Sequence, residues 1–237
     1  MAEHSLVWAG ALVCLLLATQ AHAQLPEVNY DESKVPAYTL PDPLVLANGK
    51  PVTDARTWRR ERRPEVLGLF ERLMFGKSPG RPGSMKFEVT SVDAHALGGL
   101  ATRKQVSIYP VGSKPDVHFD VLVYLPNAAK RPVPTFLGLN FAGNHAIHPD
   151  PGIDLSEQWM RDEATAGVVK NRATERSRGT VASRWPVEMI LKRGYGVATM
   201  YYGDIDPDFD DGFQNGVHPL FYKAGQTRPE ADEWGSI

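Results

Sequence analysis

Residues 76–80 read GKSPG, the one stretch of this chain that fits G-x-S-x-G, the turn that presents the nucleophile of many serine hydrolases. With Ser78 in that role the chemistry would be acyl transfer through a covalent ester. A nucleophile elbow requires a buried strand directly before the serine and a helix directly after it. Ser78 instead follows a helical segment that ends near Phe75, and Pro79, Gly80, Arg81, Pro82 and Gly83 come next. That run cannot continue as a helix. Ser78 is therefore expected to be a turn residue, and no serine–histidine pair is expected to activate a nucleophile in this chain.

NFAGNHAIHPD, residues 140–150, carries a different chemistry. It leaves the C-terminal end of an apolar, strand-like run, where ligand sites gather in open α/β sheets. Gly143 lets backbone come close to a ligand. The equivalent loop of an α/β hydrolase supplies one backbone N–H of the oxyanion hole. Ala142, Gly143 and Asn144 are candidates for that role; equally, Asn140 and Asn144 could simply satisfy buried loop backbone.

His145, His148, Asp150 and Asp154 suggest a metal site, but His-x-x-His without a firm third ligand is a weak signal, and loop packing is the preferred reading. DIDPDFDDG, residues 204–212, suggests calcium. With Gly212 at position six of an EF-hand loop, position one is Pro207 and position twelve is His218 rather than Glu, so the pattern fails. An acidic loop at the rim of a site is the plainer reading, with Asp204 and Asp206 as candidates. Lys170, Arg172, Arg176, Arg178 and Arg184 make residues 140–184 locally basic. A solvated face is the preferred reading, and a cationic rim for an anionic sugar, with Arg172 and Arg176 as candidates, is the alternative.

The elements that would position these residues fall into two halves. TDARTWRRERRPEVLGLFERLMFG (53–76) has a helix start at Asp54 and apolar residues Val66, Leu67, Phe70, Leu73 and Met74 at helical period, with Pro64 kinking it or starting a second helix. Runs at 85–94, 103–111 and 117–126 read as strands joined by short turns, an antiparallel meander. VPTFLGLNF (133–141) and YGVATMYY (195–202) read as strands apolar on both faces, with a helix at 183–194 between them closed by Gly194. A further helix is expected at 228–237, with Pro229 early and acids in its first turn. Strand, helix, strand, helix is the grammar of a parallel sheet with right-handed crossovers.

The chain has 237 residues, 42% hydrophobic and 23% charged, with a net charge of -2. It carries no basic stripe interleaved with aromatics, which argues against a nucleic-acid partner. LVWAGALVCLLLA (6–18) is too short to span a bilayer and precedes AHAQ. This reads as residues 1–23 of a secretory leader cut before Gln24, although the opening MAEHS lacks Lys and Arg. Cys14, the only cysteine, lies within it, so the exported chain has no disulfide and no thiol nucleophile. Residues 24–52, with Pro26, Pro36, Pro41, Pro43 and Pro51, read as an extended arm, and residues 53–237 as the catalytic-domain portion.

NFAGNHAI, RWPVEMILKRGYGVATMYYGDIDPDFDDGF and ADEWGSI, in this order and after this meander, closely resemble the bacterial glucuronoyl esterases, the fifteenth family of carbohydrate esterases. The resemblance runs from about Leu40 to Ile237, and its most specific block is 183–212. It implies an α/β-hydrolase fold, a three-layer sandwich with a mostly parallel sheet. It also implies a serine–histidine–acid triad that cleaves the ester between glucuronic acid and lignin alcohols in plant cell-wall xylan. The family's serine lies in a G-x-S-R-x-G-K motif some dozens of residues beyond ADEWGSI, and its acid and histidine lie later still. No catalytic residue carries over to this chain; only the oxyanion role of Ala142–Asn144 does.

The expectation is thus an N-terminal half, ending at Ile237 before the elbow and inactive alone. The completed protein is expected to be a secreted or periplasmic monomer with no metal or organic cofactor and, once the leader is cut, no membrane partner. An acetyl xylan esterase on the same fold is the sibling reading. A non-catalytic secreted carbohydrate-binding protein, stacking sugars on the tryptophans of QWM or RWP, is the rival from another class.

Overall fold

Strict alternation builds the first half of the fold. In β2 (Ala101–Pro110) the side chains of Ala101, Arg103, Gln105 and Ser107 are buried and their neighbours are half-exposed, the period of two that turns one strand face inward. β2 pairs antiparallel with β1 (Met85–Ala96) on one side and β3 (Phe119–Pro126) on the other. The turn from β1 to β2 places Leu97, Gly98 and Gly99 at positive φ. The computed structural model describes residues 28–110, 117–130 and 132–234; the expected leader lies outside them.

The second half follows the expected strand, helix and strand. β4 (Thr135–Asn140) leads through a long loop to α3 (Val187–Lys192), the last α-helix among the described residues, and then to β5 (Gly196–Tyr201). α3 ends as expected, with Gly194 at φ 84 just past its last turn. β4 and β5 are parallel, while β5 runs antiparallel to β3. The sheet order is β1-β2-β3-β5-β4, so the later strand inserts between the meander and the earlier one.

The core lies on one face of this sheet. Leu122 and Tyr124 of β3 pack with Ile147 and Ile153 of the 141–186 loop and with Val187 and Leu191 of α3. Removing one such large aliphatic side chain costs about 2–5 kcal/mol. The other face is largely uncovered by the described residues. There β4 differs from the expectation of a strand buried on both faces: Leu137 is 76% exposed and Phe136 58%. The reason is position, since β4 is the edge of the sheet.

The two other expected helices, over 53–76 and 228–237, have different outcomes. Asp54 caps the first turn, α1 (Ala55–Thr57), by accepting from the N–H groups of Arg56 and Thr57 at 2.8 Å each. The chain then widens into a π turn (Trp58–Arg62) before α2 (Arg63–Leu73). Pro64 accounts for the widening, because a proline ring clashes with the carbonyl four residues back, and here the N–H of Arg63 reaches Trp58 instead. Leu67, Phe70 and Leu73 keep helical spacing yet stay exposed.

The helix expected over 228–237 is absent from its described part. Residues 231–232 form a turn, and Glu233 makes an isolated parallel bridge to Lys77. The N–H of Lys77 donates to Asp232 at 2.7 Å, and the N–H of Trp234 donates to Lys77 at 3.0 Å. Pairing with a distant segment has overridden local propensity here. The pairing also explains Gly76: its φ is 73, and a Cβ there would lie 2.0 Å from the Glu233 carbonyl oxygen.

Candidate functional site

The C-terminal ends of β4 and β5 carry the candidate site. Asn140 closes β4, 1% exposed, and its side-chain amide donates to Asn144 Oδ1 at 2.8 Å and to Thr199 Oγ1 at 3.1 Å. Gly143 follows at φ 86, ψ 152. A Cβ there would stand 2.6 Å from both the His145 ring and the Met160 methyl group, so only glycine passes this corner. A single 3-10 turn, Asn144–Ala146, comes next. Among the described residues no acceptor takes the backbone N–H of Ala142, Gly143 or Asn144. These are the donors an oxyanion would need.

A second loop reaches the same place. Asp204, just beyond β5, is 7% exposed, and its Oδ2 accepts the backbone N–H of Asp120 at 2.9 Å. The carbonyl of Asp120 accepts the side-chain amide of Asn144 at 2.6 Å. One peptide residue at the start of β3 therefore ties the loop after β5 to the loop after β4. Burial pushes the Asp204 carboxyl up to about 7; the Asp120 N–H pulls it back and the Asp120 carboxylate adds to the rise. Asp204, a rim candidate from the sequence, is thus buried between the two loops.

The structure holds a buried serine–histidine pair that sequence reasoning did not single out. His145 Nε2 and Ser177 Oγ lie 2.8 Å apart, with both residues almost wholly buried. Its polarity runs the wrong way for catalysis. Ser177 Oγ is 2.6 Å from the Thr174 carbonyl, which has no proton to give, so the single hydroxyl proton goes there. His145 Nε2–H must then donate to Ser177, and Nδ1 accepts the Ser156 N–H at 3.4 Å. A nucleophilic serine donates to its histidine; this one receives. Burial first, and the nearby Arg178 second, lower the His145 pKa to about 4. Ser78 is exposed, after α2, and among the described residues accepts only from the N–H of Gly80, at 3.4 Å.

The remaining candidates separate. Asp150 is buried against Arg103, whose Nη1 donates to it at 2.6 Å, and Tyr124, whose hydroxyl donates at 2.5 Å. Burial favours its neutral form, but the hydrogen bonds from Tyr124 and Arg103 outweigh this and hold its pKa below the usual carboxylate range. His148 Nδ1 accepts the Asp150 N–H at 3.0 Å, and the N–H of Asp154 donates to Gln105 at 2.8 Å. Among the described residues no three His, Cys, Asp or Glu side chains converge to hold a metal ion.

Nor do the 204–212 acids converge. Asp208 pairs with Arg161 at 2.9 Å and Asp210 accepts its own loop at Gly212. Asp206 lies 3.9 Å from the buried His218. Arg172 is exposed and donates to the Glu157 carbonyl, and Arg176 is exposed in the turn that Thr174 caps. Neither arginine borders the cavity beside Asn144 and Asp204. Asp120, Arg103, Tyr124 and Ser177 were missed by sequence reasoning. Asp120 and Tyr124 sit in an ordinary alternating strand, Arg103 in another, and Ser177 in a basic loop, with no local signal to single them out.

No protein-family model matches the chain. It is 50% identical over 217 residues to carbohydrate esterase MZ0003, from an unknown prokaryotic organism, across 91% of this chain and 50% of that protein. A glucuronoyl esterase from Solibacter usitatus superposes with a TM-score of 0.79 at 52% identity, over 86% of this chain and 51% of that one. A structure described as a promiscuous CE15 esterase from the marine bacterial metagenome gives 0.74 at 50% identity, over 88% and 51%. The chain spans about half the length of these relatives. With its mixed sheet of the α/β-hydrolase kind and this level of identity, the chain is similar, over about half of their length, to proteins named carbohydrate esterase, glucuronoyl esterase and CE15 esterase.

Proposed function

We propose that this chain is the oxyanion-side half of an exported esterase that cleaves glucuronate esters in plant cell-wall xylan. The observation that carries the reading is the 52% identity, over 86% of the chain, to a protein named a glucuronoyl esterase. The Gly143 corner and its unpartnered N–H groups supply the chemistry.

In the completed enzyme a serine from the remaining half attacks the ester carbonyl, and a histidine held by a carboxylate moves the proton. The contribution of this chain is electrostatic. Backbone N–H groups of the 142–144 corner point at the oxygen that becomes negative, and a preorganised donor of this kind is worth roughly 10²–10³ in kcat. The Asn140, Asn144 and Asp120 hydrogen bonds hold that corner in place before substrate arrives. The reading requires no metal or organic cofactor, and the enzyme acts as a monomer outside the cytoplasm, free of membrane and nucleic acid.

The test is ester choice by a protein extended to the length of its relatives. Methyl or benzyl glucuronate should be hydrolysed well above background and faster than acetylated xylan. A preference for the acetyl ester would replace this reading by the acetyl xylan esterase one. The 50% identity to an esterase described as promiscuous is the observation that favours a broader range of esters. Export is tested separately: N-terminal sequencing of periplasmic material should begin at Gln24, and an intact Met1 would refute it.

A further inference from the structure

The His145 imidazole lies directly behind the oxyanion corner, on its buried side. A Cβ at Gly143 would meet the ring 2.6 Å from Cε1 and 2.9 Å from Nδ1, and His145 is 0% exposed. It does not border the cavity beside Asn144. We propose that His145 is a positioning residue: its neutral ring, locked between Ser177 and Ser156, sets where the Gly143 backbone stands and so where the N–H groups of the corner point. This rests on the esterase reading and deepens it by naming what holds the corner from behind.

Both ring nitrogens are partnered, and the bonds run in one direction. The Ser156 N–H donates to Nδ1 at 3.4 Å, and Nε2–H donates to Ser177 Oγ at 2.8 Å. Ser177 Oγ also accepts the Thr174 N–H at 3.3 Å and donates to the Thr174 carbonyl at 2.6 Å. A hydroxyl has one proton to give and two lone pairs to receive with, so Ser177 is fully used. Reversing the sense would leave the Thr174 carbonyl facing an oxygen lone pair. The network thus fixes one tautomer of His145, and a buried chain of this kind strengthens itself bond by bond.

The ring also stays neutral. Burial and the nearby Arg178 disfavour its cation, and Glu175 opposes them only in part. Nδ1 therefore remains an acceptor for Ser156 through the neutral pH range.

The backbone repeats the attachment. The His145 carbonyl accepts the Gly179 N–H, the Ala146 carbonyl accepts the Val181 N–H, and the Ala146 N–H donates to the Gly143 carbonyl, each at 3.0 Å. On the far side Asn144 is tied to Asn140 and Asp120. The corner is clamped from both sides, with the ring as the wedge. A displacement of about 1 Å in a catalytic group costs about 10²-fold in rate, so a residue that never touches substrate can govern turnover through this geometry.

The experiment is methyl glucuronate hydrolysis by the protein extended to the length of its relatives, with kcat expressed per active site. Active sites are counted by labelling the nucleophile to completion with a fluorophosphonate. His145→Leu should lower kcat per labelled site about 10²-fold and leave KM within about twofold. His145→Gln keeps a donor toward Ser177 and should recover about tenfold of that loss. Ser177→Ala should lower kcat per site about tenfold, and the double variant with His145→Leu should be no worse than His145→Leu alone, because both act through one path.

A ring that only filled the core would reduce the number of labelled sites and leave kcat per site unchanged, which would overturn the proposal. So would a Gln variant no better than Leu, or a loss confined to KM. Circular dichroism checks folding; where His145→Leu does not fold, Ser177→Ala decides, and an unchanged kcat per site there would overturn the proposal. An extended wild type that hydrolyses no ester would sink the esterase reading and this one with it, whereas an active wild type with unaffected variants would sink the positioning role alone.

Discussion

The backbone N–H of Asp120 donates to Asp204 Oδ2 at 2.9 Å, from the start of β3 to the loop after β5. Burial places the Asp204 pKa near 7, while His145, one residue past the corner, is lowered to about 4, also by burial. The two shifts act on stability in opposite senses. The raised carboxyl favours folding below its unfolded value near 3.9, and that contribution is lost as pH rises toward 7. The lowered imidazole favours folding above its unfolded value near 6.5, and that contribution is lost as pH falls toward 4.

Between pH 4 and 6.5 the slopes oppose each other, each worth up to about 3 kcal/mol across its window. Urea unfolding of the wild-type chain should therefore vary little with pH over that range. Asp204→Asn should leave the histidine slope exposed, with stability rising from pH 4.5 to 6.5. His145→Gln should leave the opposite slope, falling over the same interval. Matching pH profiles for the two variants would contradict the assignment.

Arg103 and Asp150 form the most buried ion pair described, with side chains 8% and 9% exposed. Asp150→Ala leaves the buried guanidinium only the longer, 3.7 Å contact with Asp93 and should cost about 3 kcal/mol. Tyr124→Phe removes one hydrogen bond to the same carboxylate and should cost about 1–3 kcal/mol. Denaturant midpoints check both; equal losses would show that Asp150 matters by shape rather than by charge.

GKSPG is a splint rather than an elbow. Gly76 lies where Glu233 backbone passes, so Gly76→Ala should detach the 231–234 segment and quench or shift the fluorescence of Trp234, which stacks 4.3 Å from His218. Ser78→Ala should change neither stability nor, in the completed enzyme, activity beyond a few-fold. Loss of a triad serine costs on the order of 10⁴-fold or more, and a loss of that size would reinstate Ser78.

The edge strand β4 predicts self-association. Leu137 is 76% exposed and Leu139 37% on its uncovered face, with Phe141 71% exposed just beyond its end, and an open hydrophobic edge is a template for pairing. Sedimentation velocity of residues 24–237 should reveal concentration-dependent oligomers, and Leu137→Lys should shift them toward monomer. A monomer at all concentrations would show that the edge is guarded in a way the burial pattern does not capture.

Features set by local chemistry were legible in the sequence. Asp54 caps its turn, Gly194 ends α3, and Gly143 turns the corner after β4, because each depends on neighbours within a few residues. The meander and the parallel pair followed from hydrophobic period. What depended on distant segments was not legible. Acids after Pro229 suggested a helix start, and only the approach of Lys77 makes Glu233 extended. Asp204 read as one acid among several in an acidic loop; the backbone N–H it accepts comes from Asp120, 84 residues earlier. Arg172 and Arg176 shared a basic region with Arg178, but only Arg178 turns inward, donating to the Ile153 carbonyl at 2.6 Å. Composition could not rank the three.

The central claim is that this chain holds the oxyanion corner of an esterase whose nucleophile lies in another part of the protein. The most direct measurement is kcat/KM for methyl glucuronate ester hydrolysis by two proteins: residues 24–237 alone, and a version extended to the length of the family 15 relatives. The account predicts hydrolysis by the extended protein and none above background by residues 24–237, where the buried serine–histidine pair among the described residues has its hydroxyl proton turned away from the imidazole. Comparable hydrolysis by both, or none by the extended protein, would contradict it.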